Sequence, residues 1–124
     1  MRRTISGGVT LTILGEPASK ANSRKLVTNR KTGRALFIKS DKARAYVKYA
    51  AEQLPILTPL MTGNVAATIT IYYASQRPDL DEALILDVMQ GHIYLNDRQV
   101  RERHVYHQID KVNPRAEIRV EPIK

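Results

Sequence analysis

From Val65 to Tyr73 the chain alternates without a break, with Val65, Ala67, Ile69, Ile71 and Tyr73 in one phase and Ala66, Thr68, Thr70 and Tyr72 in the other. Successive side chains of an extended strand point to opposite faces, so this stretch predicts a long strand with one face committed to a core. Gly63-Asn64 is the turn signal that opens it. A shorter run, Val9, Leu11 and Ile13 interleaved with Thr10 and Thr12, predicts an earlier strand of the same kind.

Between these strands the period changes. Ser40 is placed as a helix N-cap, with Asp41 in the first turn, where a carboxylate complements the helix dipole. Ala43, Tyr46, Val47, Ala50, Ala51 and Leu54 follow at helical spacing until Pro55, leaving Lys42, Arg44 and Lys48 on other faces. Gly15 to Arg34 has no periodicity and reads as a long loop or hairpin, with Ala35 to Lys39 as a short returning strand. Leu80 to Gln90 is a second helix, largely buried, ended by Gly91. Val100, His104 and Tyr106 suggest one further strand, and Ala116, Ile118 and Val120 another, separated by Asn113-Pro114. This order predicts a single α+β domain over residues 1–124, two-layered, with a small mixed β-sheet and two helices.

The chain is cationic: 20 Lys and Arg against 12 Asp and Glu give a net charge of +8. Ten of those bases lie between Lys20 and Lys48, where Asp41 is the only acid. Such clustering suits a nucleic-acid surface, the other readings being a solvated face or an acidic protein partner. No Cys occurs, which excludes disulfides and thiolate metal sites and agrees with a reducing compartment. The apolar stretch after Met1-Arg2-Arg3 is too short and too polar for a signal sequence, and Leu84-Ile85-Leu86 is cut by Asp87, so no membrane span is expected. The expected location is cytoplasmic.

Against this background the scarce acids gather in two places, Arg77-Pro78-Asp79-Leu80-Asp81-Glu82 and Asn96-Asp97-Arg98-Gln99-Val100. Carboxylates on a basic protein suggest hard cations facing a polyanion, as phosphodiester cleavage requires. Asp79 and Asp81 share one side of an extended segment, Asp97 at the head of another strand can approach as a neighbour in the sheet, and Glu82 is a possible fourth oxygen donor. Each cluster also has a plainer reading. Asp79 with Glu82 forms a capping box, and Asp97 beside Asn96 is an ordinary turn residue. Asp87 lies on an apolar helix face, where a lone carboxylate needs Arg or backbone as partner, or a place at the outside of the metal site. His92, His104 and His107 are too scattered to ligate a metal, and Tyr72, Tyr73 and Tyr94 either pack or stack on bases. No nucleophilic Ser or Cys constellation, phosphate loop or dinucleotide fingerprint is present, so no small-molecule cofactor is expected.

Taken in order, Pro17-Ala18-Ser19-Lys20-Ala21-Asn22-Ser23-Arg24, Asp79-Leu80-Asp81, Leu86-Asp87-Val88-Met89 to Gly91, and Asn96-Asp97-Arg98-Gln99-Val100 resemble the motifs of the RusA family of Holliday junction resolvases. The resemblance implies a small α+β homodimer that binds four-way DNA junctions and makes paired, symmetric, Mg²⁺-dependent nicks, with Mn²⁺ as a substitute, in DNA recombination and repair. It makes Asp79, Asp81 and Asp97 the catalytic metal ligands, with Glu82 beside them. DNA contacts then fall to Lys20, Arg24, Lys25, Arg30, Lys31 and Arg34, and to Arg77, Arg98 and Arg101 near the acids. Three positions depart from the family pattern: Glu82 replaces an Asn, Asn96 replaces an Asp, and Ile85 stands where a Lys is expected. Arg77, Arg98 or Arg101 is then the expected replacement for that Lys in space; the other outcome is a branched-DNA-binding protein of the same fold that cuts poorly or not at all.

Overall fold

A computed structural model of the chain describes residues 8–17, 24–74 and 82–123. In chain order the elements are β1 (Val9–Leu14), β2 (Arg24–Thr28), β3 (Ala35–Lys39), α1 (Asp41–Gln53), β4 (Val65–Tyr73), α2 (Glu82–Val88), a 3-10 turn at Asp97–Gln99, β5 (Val100–Ile109) and β6 (Arg115–Pro122). A four-stranded sheet has the order β1-β6-β4-β5, and β2 and β3 form a separate two-stranded hairpin. The fold is the expected α+β arrangement of two helices and a mixed sheet.

The alternation of β4 survives intact: Val65, Ala67, Ile69, Ile71 and Tyr73 are all buried. They meet Leu11 and Ile13 of β1, Ala116, Ile118 and Val120 of β6, and the inner faces of both helices in one core. Fully burying an aliphatic side chain such as Ile69, Ile71 or Ile118 contributes about 1.5–3 kcal/mol before chain entropy is charged. The opposite sheet face is polar. There Arg119 reaches Glu121 at 2.5 Å and Thr10 Oγ1 at 3.0 Å, and Tyr72 Oη donates to Glu117 at 3.3 Å.

α1 begins as its sequence requires, with Ser40 Oγ accepting from the Ala43 N–H at 3.1 Å. Its inward residues Ala43, Tyr46, Ala50 and Leu54 are buried, while Val47 and Ala51 are partly so. Lys25 Nζ reaches Asp41 at 3.3 Å, and Arg44 pairs with the same carboxylate, tying the β2–β3 hairpin to the helix. Within the stretch Gly15 to Arg34, the described residues from Arg24 onward take the hairpin alternative: β2, then a turn at Asn29–Arg34 whose Asn29 Oδ1 accepts from the Lys31 N–H at 2.9 Å. The second helix ends at Val88 rather than Gln90, and Gly91 follows with a positive φ of 80° that a side chain would disfavour. Leu80 and Asp81 lie outside the described residues.

The sheet register decides where the site can form. β5 runs parallel to β4, with Val65 opposite Val100 and Tyr73 opposite Ile109, so α2 and the 3-10 turn form the crossover between them. The head of β5 therefore lies at the start of β4, about 25 Å from its exit at the usual strand rise.

Candidate active site

Three side chains shape the turn that carries Asp97. Asn96 is the cap, its Oδ1 accepting from the Arg98 N–H at 2.9 Å. Gln99 closes the turn from the other side, its Oε1 accepting from the Leu95 and Asn96 N–H groups, both at 2.9 Å. Its Nε2 donates to the carbonyls of Met61 at 2.9 Å and Gly63 at 2.8 Å, pinning the turn to the loop before β4. Gln90 Oε1 accepts from the Asp97 N–H at 3.0 Å. Asp97 itself is exposed, and no other described residue hydrogen-bonds to or pairs with its carboxylate. The plain turn role therefore belongs to Asn96, which an Asp would fill equally well, and the Asp97 carboxylate is left open.

Asp97 lines a cleft of about 350 Å³ together with Ala83, Leu84 and Asp87 of α2 and Arg24, Phe37, Ile38 and Lys39 of the hairpin. In the sheet register the head of β5, which follows the Asp97 turn, lies beside the start of β4, at the opposite end from the β4 exit. The helix α2 carries Ala83 and Leu84, from its N-terminal half, to the cleft that Asp97 lines. Glu82 is the first residue of α2, next to the cleft-lining Ala83. Asp79, Asp81, Arg77 and Lys20 lie outside the described residues.

Asp87 corrects an expectation. Its side chain is 36% exposed rather than buried, and its partner is neither Arg nor backbone but Lys39, whose Nζ lies 2.9 Å from Oδ2. Gln90 Nε2 donates to the other oxygen at 3.0 Å. With both partners this open to water, the ion pair contributes on the order of 0.2–1 kcal/mol. Tyr73 and Tyr94 are buried and pack, and Tyr72 lies beneath the Arg115 guanidinium at 3.9 Å, so none offers an open face to a base. The exposed aromatic at the cleft is instead Phe37, 69% exposed and opposite the equally open Leu26 in the hairpin register. None of the three histidines lines the cleft.

The hairpin carries the expected cations. Arg24 stands directly opposite Lys39 in the register, and Arg30, Lys31 and Arg34 are exposed in the connecting turn. Lys25 is engaged by Asp41. Arg98 and Arg101 are exposed in and just after the 3-10 turn.

A family model described as endodeoxyribonuclease RusA matches residues 15–121. The chain belongs to the RusA endodeoxyribonuclease family. The match takes in the hairpin, both helices, the Asp97 turn and nearly all of β6, so every element that lines the cleft is part of the RusA unit. A search of individually curated proteins finds no match. Among the described residues no helix is long and apolar enough to cross a membrane.

The donor chemistry of this RusA site fits a hard divalent cation: its candidate ligands are carboxylates, with neither thiolate nor imidazole at hand. Among the described residues no three acids or histidines converge. Two of the expected ligands, Asp79 and Asp81, lie outside those residues. Sequence reasoning passed over Lys39, Gln90 and the role of Gln99. Only Gln99 carried a signal, as the fixed Gln of the Asp97 motif.

Proposed function

We propose that this RusA-family protein is a structure-selective endonuclease that resolves four-way DNA junctions by paired cuts, in recombination and repair. The observation that carries the reading is the open Asp97 carboxylate in a cleft walled by the cationic hairpin, in a chain of the endodeoxyribonuclease family. Asp79, Asp81 and Asp97, with Glu82 as a further donor, would hold Mg²⁺ or Mn²⁺, which when bound supplies a polarised water and a Lewis acid for the leaving oxygen. Hydrolysis forms a bond from a water oxygen to phosphorus and breaks one phosphate ester bond, leaving a phosphate on one new end and a hydroxyl on the other. Arg24, Arg30, Lys31 and Arg34 hold phosphates along the arms, a sequence-independent grip that releases counterions. Arg98 and Arg101, beside Asp97, extend that grip along the other wall.

Two symmetric cuts call for two symmetric sites, so the reading includes a homodimer. Among the described residues β5 is an exposed edge strand, the edge to which a second copy would add. The test is a labelled four-way junction incubated with Mg²⁺ or Mn²⁺, comparing wild type with Asp81→Asn. Wild type is expected to leave paired nicks, and the variant to bind without nicking. Equal binding with no nicks from either protein would reduce the reading to a branched-DNA-binding protein of the same fold.

A further inference from the structure

We infer that Lys39 is the cation that meets the scissile phosphate in this chain, held in place by Asp87; the inference rests on the nuclease reading above. The helix position at which a lysine is expected is Ile85, and Ile85 is fully buried, so no side chain there reaches DNA. A lysine enters the Asp97 cleft from a different element. Lys39, the last residue of β3, places Nζ 2.9 Å from Asp87 Oδ2, and both line the cleft with Asp97. Asp87 accepts from Gln90 at 3.0 Å, and Gln90 accepts from the Asp97 N–H at 3.0 Å. Ammonium and candidate metal-ligand segment are thus set relative to one another by one continuous chain of side-chain contacts.

The charge arrangement points the same way. Arg24 and Lys39 are cross-strand partners, and Arg24 has no acidic partner among the described residues. Two cations directly opposed on neighbouring strands repel one another unless an anion lies across them. A single carboxylate answers one of the two, which leaves room for a phosphate. The Lys39 ammonium has three donors, so it can keep Asp87 and still donate to a non-bridging phosphate oxygen. As water adds to phosphorus and the ester bond lengthens, negative charge grows on those oxygens, and a fixed ammonium beside them lowers the barrier more than it tightens binding. Asp87 is then a positioning residue: it orients the ammonium without touching substrate.

The experiment uses the full chain as wild type, Lys39→Met, Lys39→Arg and Asp87→Asn. Single-turnover cleavage of a labelled four-way junction is measured at saturating protein with Mg²⁺ or Mn²⁺, and junction Kd is measured separately in Ca²⁺. Lys39→Met is expected to lose roughly 10²-fold in cleavage rate, the scale of one transition-state donor, while Kd changes by less than about threefold. Lys39→Arg should recover most of that rate, and Asp87→Asn should lose about tenfold with Kd unchanged. Thermal melting of Lys39→Met should match wild type, because an exposed ion pair adds little stability. Cleavage by Lys39→Met at the wild-type rate, or a rise in Kd matching the loss in rate, would overturn the inference while leaving the nuclease reading standing. A wild-type protein that cuts no junction under either metal would overturn both.

Discussion

The Asp97 backbone N–H donates to Gln90 Oε1 at 3.0 Å, while Gln90 Nε2 donates to Asp87 at 3.0 Å, so one amide spans from α2 to the head of β5. A side chain that donates at one end and accepts at the other fixes both partners. Gln90→Leu keeps the size but removes both bonds, which should cost about 1–2 kcal/mol of stability and release the Asp97 turn. On the nuclease reading, the variant should cut a four-way junction at least tenfold more slowly, a loss that single-turnover assays would register, because small misplacements of a ligand lower rates steeply.

Gln99 makes four hydrogen bonds, two through each end of its amide. Gln99→Glu keeps the shape and the accepting end but sets a carboxylate against the Met61 and Gly63 carbonyls, and Gln99→Ala removes all four. Both variants should lose about 2–4 kcal/mol in urea denaturation, from unpaired backbone groups in Gln99→Ala and charge repulsion in Gln99→Glu. A loss under 1 kcal/mol for both would mean that the turn holds itself.

Two buried tyrosines should respond oppositely to removal of the hydroxyl. Tyr94 is fully buried and donates to the Leu86 carbonyl at 2.5 Å, and burial pushes its phenol pKa strongly up. Tyr94→Phe strands that carbonyl and should cost about 1–2 kcal/mol. The Tyr46 hydroxyl is buried without a hydrogen-bond partner among the described residues. Tyr46→Phe should therefore be neutral or stabilising by up to about 1 kcal/mol, with both variants read by urea denaturation.

Acid sensitivity should trace to Asp110 and Asp41. The Asn113 N–H, followed by the Arg115 guanidinium, holds the Asp110 carboxyl below its ordinary 3.8, and Lys25, then Arg44, does the same for Asp41. A carboxylate with a depressed folded pKa adds stability that is fully present above the unfolded value and disappears as pH falls through the folded one. The Tm difference between wild type and Asp110→Asn should stay level from neutral pH to about pH 5 and close below 3.8. A difference that persists into strong acid would assign Asp110 a packing role instead.

β1, β4, β6 and the first helix were legible from sequence because their physics is local. In β5, by contrast, the expected set of Val100, His104 and Tyr106 does not share the inner face: His104 and Tyr106 are exposed and Val105 packs on the core instead. Alternation from Val65 to Tyr73 follows from the pleat, and Ser40 with Ala43, Tyr46 and Ala50 follows from a capped 3.6-residue period, so burial matched phase position by position. The family was legible too, since its motifs are short runs whose order does not depend on folding. The surroundings of the acids were not. Periodicity says which face of a strand is inward but not which strand lies beside it, and the parallel pairing of β4 with β5 sets the Asp97 turn at the opposite end from the β4 exit. Nor does any local pattern show that Lys39 of the hairpin meets Asp87 of α2, or that Gln90 reaches Asp97, because each contact joins elements whose approach is set by how the whole core packs. The sequence by itself determined the elements, the charge and the family; the tertiary structure alone decided which cation and which amide stand beside the Asp97 carboxylate.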